Sequence, residues 1–252
     1  MSLPTLSHSS DLLAGLRHGV LLGAALAVLV LPPAGVARLP NFSNLPNVAG
    51  GMQSPRALQP ASLPADFGTM LPSVDARHVA DWVAQSRDNN RLPFAILDKR
   101  GARLYVFDAQ ARLIGSSLVL LGSAAGDDSV AGIGDRPLSQ VRPHERTTAA
   151  GRFVSEPGHD DTGDNVVWVD YDAALAMHRV KVIDPKERRF ERIATSSIDD
   201  KRISNGCINV PIAFFDGVVE PTLGSSRAIV YVLPEVKSLQ QVFPAAYALA
   251  AR

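Results

Sequence analysis

Between Phe94 and Leu121 the hydrophobic residues come in short runs, and this spacing constrains the fold more than any other feature of the chain. Phe94 to Leu97, Arg103 to Phe107 and Leu113 to Leu121 are apolar or alternating stretches. Asp98-Lys99-Arg100-Gly101 and Asp108-Ala109-Gln110-Ala111 separate them as turns. Short runs punctuated in this way read as strands, and three in succession make an antiparallel meander. Val166 to Val169, Ala174 to Ile183 and Ala228 to Leu233 read as further strands. The expected fold is mainly β, a curved sandwich or barrel with a few short helices. One helix is expected to start at Ser73 and run to about Arg87, with Val74, Val79, Trp82 and Val83 on one face. Another is expected from Pro211 to about Val219, with the proline in its first turn.

A chain of 252 residues suits one domain with extensions, and 46% hydrophobic residues are enough for a real core. Lysine plus arginine equals aspartate plus glutamate at 25 each, so no excess charge points to nucleic acid or to an anionic membrane surface. At the N-terminus, Arg17 and His18 precede an apolar run from Gly19 to Leu31 that Pro32-Pro33 ends. That run is short for a spanning helix and suits a signal segment, with Gly35-Val36-Ala37 offering a cleavage site; an uncleaved anchor is the alternative. The expected plan is an export segment over 1–37, a linker or arm over 38–72 and a helix over 73–90. A catalytic domain over 91–234 and a tail over 235–252 complete it.

The only cysteine, Cys207, lies in Arg202-Ile203-Ser204-Asn205-Gly206-Cys207-Ile208-Asn209-Val210. One thiol can form no internal disulfide, and it rules out a cysteine-rich zinc site. A free cysteine is often a small buried hydrophobe. Here Gly206 clears space beside the sulfur and frees a backbone N–H, while Ser204, Asn205 and Asn209 surround it with hydrogen-bonding groups. That setting suits a nucleophile, and an unpaired thiol in an exported chain reads as reactive. The adjacent carboxylates Asp127 and Asp128 have no histidine in ligand spacing and read as a solvated loop, so no metal or cofactor is expected.

Ser204-Asn205-Gly206-Cys207-Ile208-Asn209 resembles the nucleophile motif of the L,D-transpeptidase (YkuD-type) family, which usually carries histidine where this chain has Asn205. Thr147-Thr148-Ala149-Ala150-Gly151-Arg152-Phe153 resembles that family's strand entry, with alanine in place of proline. The resemblance spans about Pro93 to Pro234 and implies an upstream histidine as general base. His178 fits that place, sharing a strand face with Ala174 and Ala176 while Leu175 and Met177 point into packing. His144, in a polar loop, is the alternative base. The 29 residues from His178 to Cys207 exceed the usual spacing, so a charged insertion from Pro185 to Asp200 is expected to loop out beside the pocket. A thiolate–imidazolium pair would activate the sulfur. Backbone N–H groups at Gly206 and Cys207 would bind an oxyanion, and Ser204, Asn205 and Asn209 would orient groups or bind substrate. Arg202 reads either as a substrate-carboxylate ligand or as a surface arginine.

The resemblance further implies attack by Cys207 on a peptidoglycan stem tetrapeptide, loss of its terminal D-alanine, and a thioester resolved by an amine. Water in its place gives an L,D-carboxypeptidase or amidase, and a non-catalytic cell-wall-binding module is a further alternative. The implied setting is the periplasm or cell envelope, with stem peptides as partners.

Overall fold

The computed structural model of the protein describes residues 63–248. The expected export segment and most of the expected arm lie outside the described residues. The strands are β1 (Phe94–Asp98), β2 (Arg103–Phe107), β3 (Leu113–Leu118), β4 (Leu121–Gly122), β5 (Gly151–His159), β6 (Asn165–Asp170), β7 (Leu175–Arg179), β8 (Arg202–Ser204), β9 (Ile208–Val210) and β10 (Ala228–Val232).

Eight of them form one sheet in the order β3-β2-β1-β10-β5-β6-β7-β9, and β4 pairs with β8. The expected meander is present as β1-β2-β3, antiparallel throughout. The last strand, β10, lies in the middle of the sheet, parallel to β1 and antiparallel to β5. Strand β5 joins the two halves of the sheet: residues 151–155 pair with β10 and residues 156–159 with β6. At the far edge β9 runs parallel to β7. Leu120, just past β3, exchanges two backbone hydrogen bonds of 2.9 Å with Asn209. That bridge brings the two edges together, so the mainly β, barrel-like architecture expected from the sequence is the one observed.

Both faces of β1 are buried, which explains its unbroken apolar run. Ala95 and Leu97 point into an inner core with Leu104, Val106, Val167, Met177, Ile208 and Val230. Phe94 and Ile96 point outward with Tyr105, Phe107 and Tyr231, under helix α1 (Val74–Ser86). Ser73 caps α1 by accepting from the Ala76 N–H at 3.2 Å. Val74 was expected on the packed face but is exposed; Ala76, Val79, Ala80, Trp82 and Val83 are the buried residues.

Phe67, upstream of α1, packs edge-on against Phe107 at 5.1 Å, and Leu239, Phe243 and Ala246 close the same outer core. Full burial of one such apolar side chain contributes about 1.5–3 kcal/mol. The helix, the tail and residues 65–67 therefore pack as part of one body with the sheet. The helical stretch after Pro211 runs to Leu223, past the expected end at Val219, and its Phe215, Val219 and Leu223 reach the inner core.

Two strands differ from the sequence reading. The strand expected over Ala174 to Ile183 covers only Leu175–Arg179, because Ala174 is a left-handed turn residue (φ 48°) and Val182 and Ile183 are exposed beyond the ladder. The nine residues of β5 extend well past the entry expected to end at Phe153.

Candidate active site

Alternation along β7 divides its side chains between two environments. Leu175 and Met177 enter the inner core, which leaves Ala176 and His178 on the opposite face. In the parallel register with β9, Met177 pairs with Ile208 and His178 with Asn209. Ile208 is also in the inner core, so Asn209, and Cys207 two residues before it, continue the His178 face. Cys207, one residue ahead of β9, is thus a diagonal neighbour of His178.

The cysteine loop is held from several sides. Ser204 Oγ donates to the Cys207 carbonyl at 2.6 Å and accepts from the Gly206 N–H at 3.1 Å. Gly206 has φ 136°, and a Cβ there would lie 2.9 Å from the Thr147 carbonyl oxygen, so the position needs glycine twice over. The buried Thr148 hydroxyl donates to the Gly206 carbonyl at 2.7 Å and accepts from the Gly122 N–H at 2.9 Å. In a trans peptide the C=O and the following N–H point in opposite directions. Fixing the Gly206 oxygen on Thr148 therefore turns the Cys207 N–H the other way, and among the described residues no backbone or side-chain group accepts from it. It is a free donor beside the sulfur.

Asn209 is fully buried; its Nδ2 donates to the Cys207 carbonyl at 3.2 Å. Its Oδ1 accepts from Arg189 Nη1 at 2.8 Å. The sequence reading did not single out Arg189. It opens helix α2 (Arg189–Ala194), inside the insertion expected to loop out, yet the residue is buried. Its Nε donates to Glu187 at 2.6 Å. The insertion is itself ordered into short helices, and the buried Lys201 ammonium at its end donates to the Thr195 carbonyl at 2.6 Å. The half-buried Ile193 among its charges was the available signal that the segment packs, whereas Phe190 is exposed.

Other expected site residues stand elsewhere. Asn205 is half-buried and makes no hydrogen bond among the described residues. The Arg202 guanidinium pairs with the Glu235 carboxylate and donates to the Lys99 carbonyl at 3.3 Å. It is neither a free surface group nor presented to a ligand. Nor is Asp127 solvated: it is buried and accepts from the fully buried Lys99 at 2.7 Å and from the N–H groups of Glu235, Val236 and Lys237. Lys99 also donates to the Thr148 carbonyl at 2.8 Å, which ties this knot to the cysteine loop. His144 is exposed. Among the described residues no group of three or more His, Cys, Asp or Glu side chains converges as a metal site would.

The titration states follow from burial. His178 Nδ1 lies 2.8 Å from the Arg179 carbonyl. Only a protonated Nδ1 can make that bond, so in the neutral ring Nε2 carries the free lone pair. Burial pushes the imidazole pKa down, against the Arg179 hydrogen bond, and the positive Lys181 and Arg189 lower it further. Burial likewise pushes the Cys207 thiol up, more than the Ala176 N–H and Arg189 bring it down. Both shifts disfavour the expected thiolate–imidazolium pair as the resting state. The thiol donates to the Ala174 carbonyl at 3.4 Å, and no hydrogen bond joins it to His178.

No protein-family model and no curated protein matches the chain. Among 14 solved chains that match is the helical cell shape determining protein Pgp2 from Campylobacter jejuni, at 12% identity and a TM-score of 0.39. The match covers 71% of this chain and 64% of that one.

Proposed function

We propose that the chain is an exported cysteine acyltransferase of the L,D-transpeptidase type that acts on peptidoglycan stem peptides. One observation carries this reading: a thiol and an imidazole with an open Nε2 share one sheet face, and the backbone N–H of the cysteine is a free donor. In the reaction, His178 Nε2 takes the thiol proton as the sulfur adds to the substrate carbonyl. The Cys207 N–H faces the developing oxyanion. Collapse breaks the C–N bond, His178 passes its proton to the departing D-alanine amine, and a thioester remains on Cys207. An acceptor amine then attacks the thioester, gives up a proton to His178, and the released sulfur is reprotonated. Water as acceptor makes the same site an L,D-carboxypeptidase.

The lowered imidazole pKa fits this scheme, because it favours an unprotonated base at His178. A second reading, a non-catalytic wall-binding module, draws on the thiol's hydrogen bond to Ala174 in place of His178. Incubating the protein with purified muropeptides and weighing the products separates the two. Loss of one D-alanine, with or without cross-linking, supports acyl transfer; unchanged muropeptides that still bind support the module.

A further inference from the structure

The sheet face that carries the thiol and the imidazole also carries a pair of stacked aromatic rings. Trp168 and Tyr171 lie with ring centroids 4.7 Å apart and planes 23° from parallel; Tyr171 is 59% exposed and Trp168 half-buried. Val167 and Val169 enter the inner core, so Trp168 points to the other face, where its partner across the ladder is Ala176. The Ala176 N–H in turn reaches the Cys207 sulfur. Tyr171 opens the turn that ends at Ala174. The Ala174 N–H donates to the Tyr171 carbonyl at 3.0 Å, and the Ala174 carbonyl accepts from the thiol. Each ring is thus joined to the sulfur through one residue. Gly158 of β5 lets the pair lie flat on the sheet: a Cβ there would be 2.6 Å from Trp168 Cδ1 and 3.3 Å from Tyr171 Oη. Glycine inside a strand marks such a close approach.

Exposed apolar surface with a polar rim marks a binding site. The rim here is the tyrosine hydroxyl, the indole N–H and the carboxylates of Asp170 and Asp172 on either side of Tyr171. Those carboxylates repel an anion and accept hydrogen bonds from hydroxyls. A pyranose ring has the matching chemistry, with C–H bonds on its face and hydroxyls around its edge. Tyrosine and tryptophan give it a rigid contact surface at small entropy cost. We propose that Trp168 and Tyr171 form a saccharide platform beside Cys207, on which a neutral hexopyranose ring stacks. The ring is that of the amino sugar to which the stem peptide is joined, so glycan-linked stems are preferred to free peptides. The identity of that sugar rests on the acyl-transfer reading above; the platform rests on its own geometry.

The test uses the full chain carrying Cys207→Ala, which cannot turn over. Calorimetry gives its affinity for a stem tetrapeptide, for the same peptide on its N-acetylated disaccharide, and for an N-acetylglucosamine tetramer with no peptide. The disaccharide form should bind about tenfold tighter or more than the free peptide, and the tetramer should bind alone. The chain has two tryptophans, and Trp82 is buried, so a saturable change in tryptophan emission on adding the tetramer places the sugar at Trp168. Adding Tyr171→Ala, at an exposed turn position, should abolish tetramer binding and bring the two peptide affinities within about twofold. Trp168→Ala should do the same, and if it fails to fold Tyr171→Ala decides. A parent that binds the peptide equally with and without sugar overturns the assignment, as does a preference unchanged in Tyr171→Ala. So does a parent that binds lysine amide but not the tetramer, which would make the pair an ammonium site. Sugar binding lost in Tyr171→Ala, with no product from the disaccharide tetrapeptide and intact Cys207, leaves the platform standing and defeats acyl transfer instead.

Discussion

Replacing Asp127 by asparagine should unfold the support beneath the cysteine loop. The Asp127 carboxylate is buried, which by itself would raise its pKa, but the Lys99 hydrogen bond and three backbone N–H groups outweigh this and lower it from 3.8 to about 2. A shift of that size is worth about 2 kcal/mol of stability. Asp127→Asn also leaves the fully buried Lys99 ammonium with Glu235, at 3.4 Å, as its remaining carboxylate partner, and breaking a buried pair from one side costs up to about 3–5 kcal/mol in all. Lys99→Met together with Asp127→Asn should recover part of that loss, since the ammonium goes with its partner and Glu235 keeps its pair with Arg202. The assay is urea unfolding of wild type and variants between pH 2 and pH 7. The folded pKa is depressed, so the stabilisation is fully present above the ordinary carboxylate value and fades as pH falls toward about 2. The gap between wild type and Asp127→Asn should therefore be widest at neutral pH and shrink in acid. A gap below about 0.5 kcal/mol at pH 7, or one that does not narrow in acid, would refute the argument.

Further expectations concern the site itself. Iodoacetamide labelling of Cys207 should rise only above the ordinary thiol value of about 8.5, because burial raises its pKa; fast labelling at pH 7 would restore the ion pair. With His178 as a neutral base of lowered pKa, kcat/KM should climb with pH through a value below about 6.5, and an inflection above that would contradict the assignment. Thr148→Val should cost about 2–4 kcal/mol by orphaning the Gly122 N–H and the Gly206 carbonyl, and should lower kcat more than it raises KM by freeing the Cys207 peptide plane; a KM effect alone would count against it. Shortening the insertion across residues 185–200 should lower stability by at least about 1–3 kcal/mol, because the buried Asn209 loses Arg189; equal melting with altered substrate preference would return that segment to a surface loop.

The strands that were legible in the sequence were those whose burial is set locally. β1 and β2 carry unbroken apolar runs, Phe94 to Leu97 and Leu104 to Phe107, next to turn residues, and the alternation around His178 correctly sent Leu175 and Met177 to the core. What stayed hidden depends on partners far along the chain. Lys99 sits in a turn between charged residues and looks solvated; its partner Asp127 is 28 residues on. Arg189 sits in the charged run Lys186-Glu187-Arg188-Arg189, and only the fold brings it to Asn209. The titration states were hidden for the same reason. Pairing a thiol with an imidazole suggests an ion pair, but depth of burial decides the charge, and depth is a property of the assembled sheet.

The most direct measurement is the intact mass of the protein after rapid quenching with a stem tetrapeptide, and separately with a carbapenem, for wild type and His178→Ala. The account predicts one covalent adduct on wild type, located on Cys207 by peptide mapping, and strongly slowed adduct formation in His178→Ala. Wild-type protein that binds the peptide yet gains no mass from either reagent would contradict the claim that Cys207 is an acyl-accepting nucleophile.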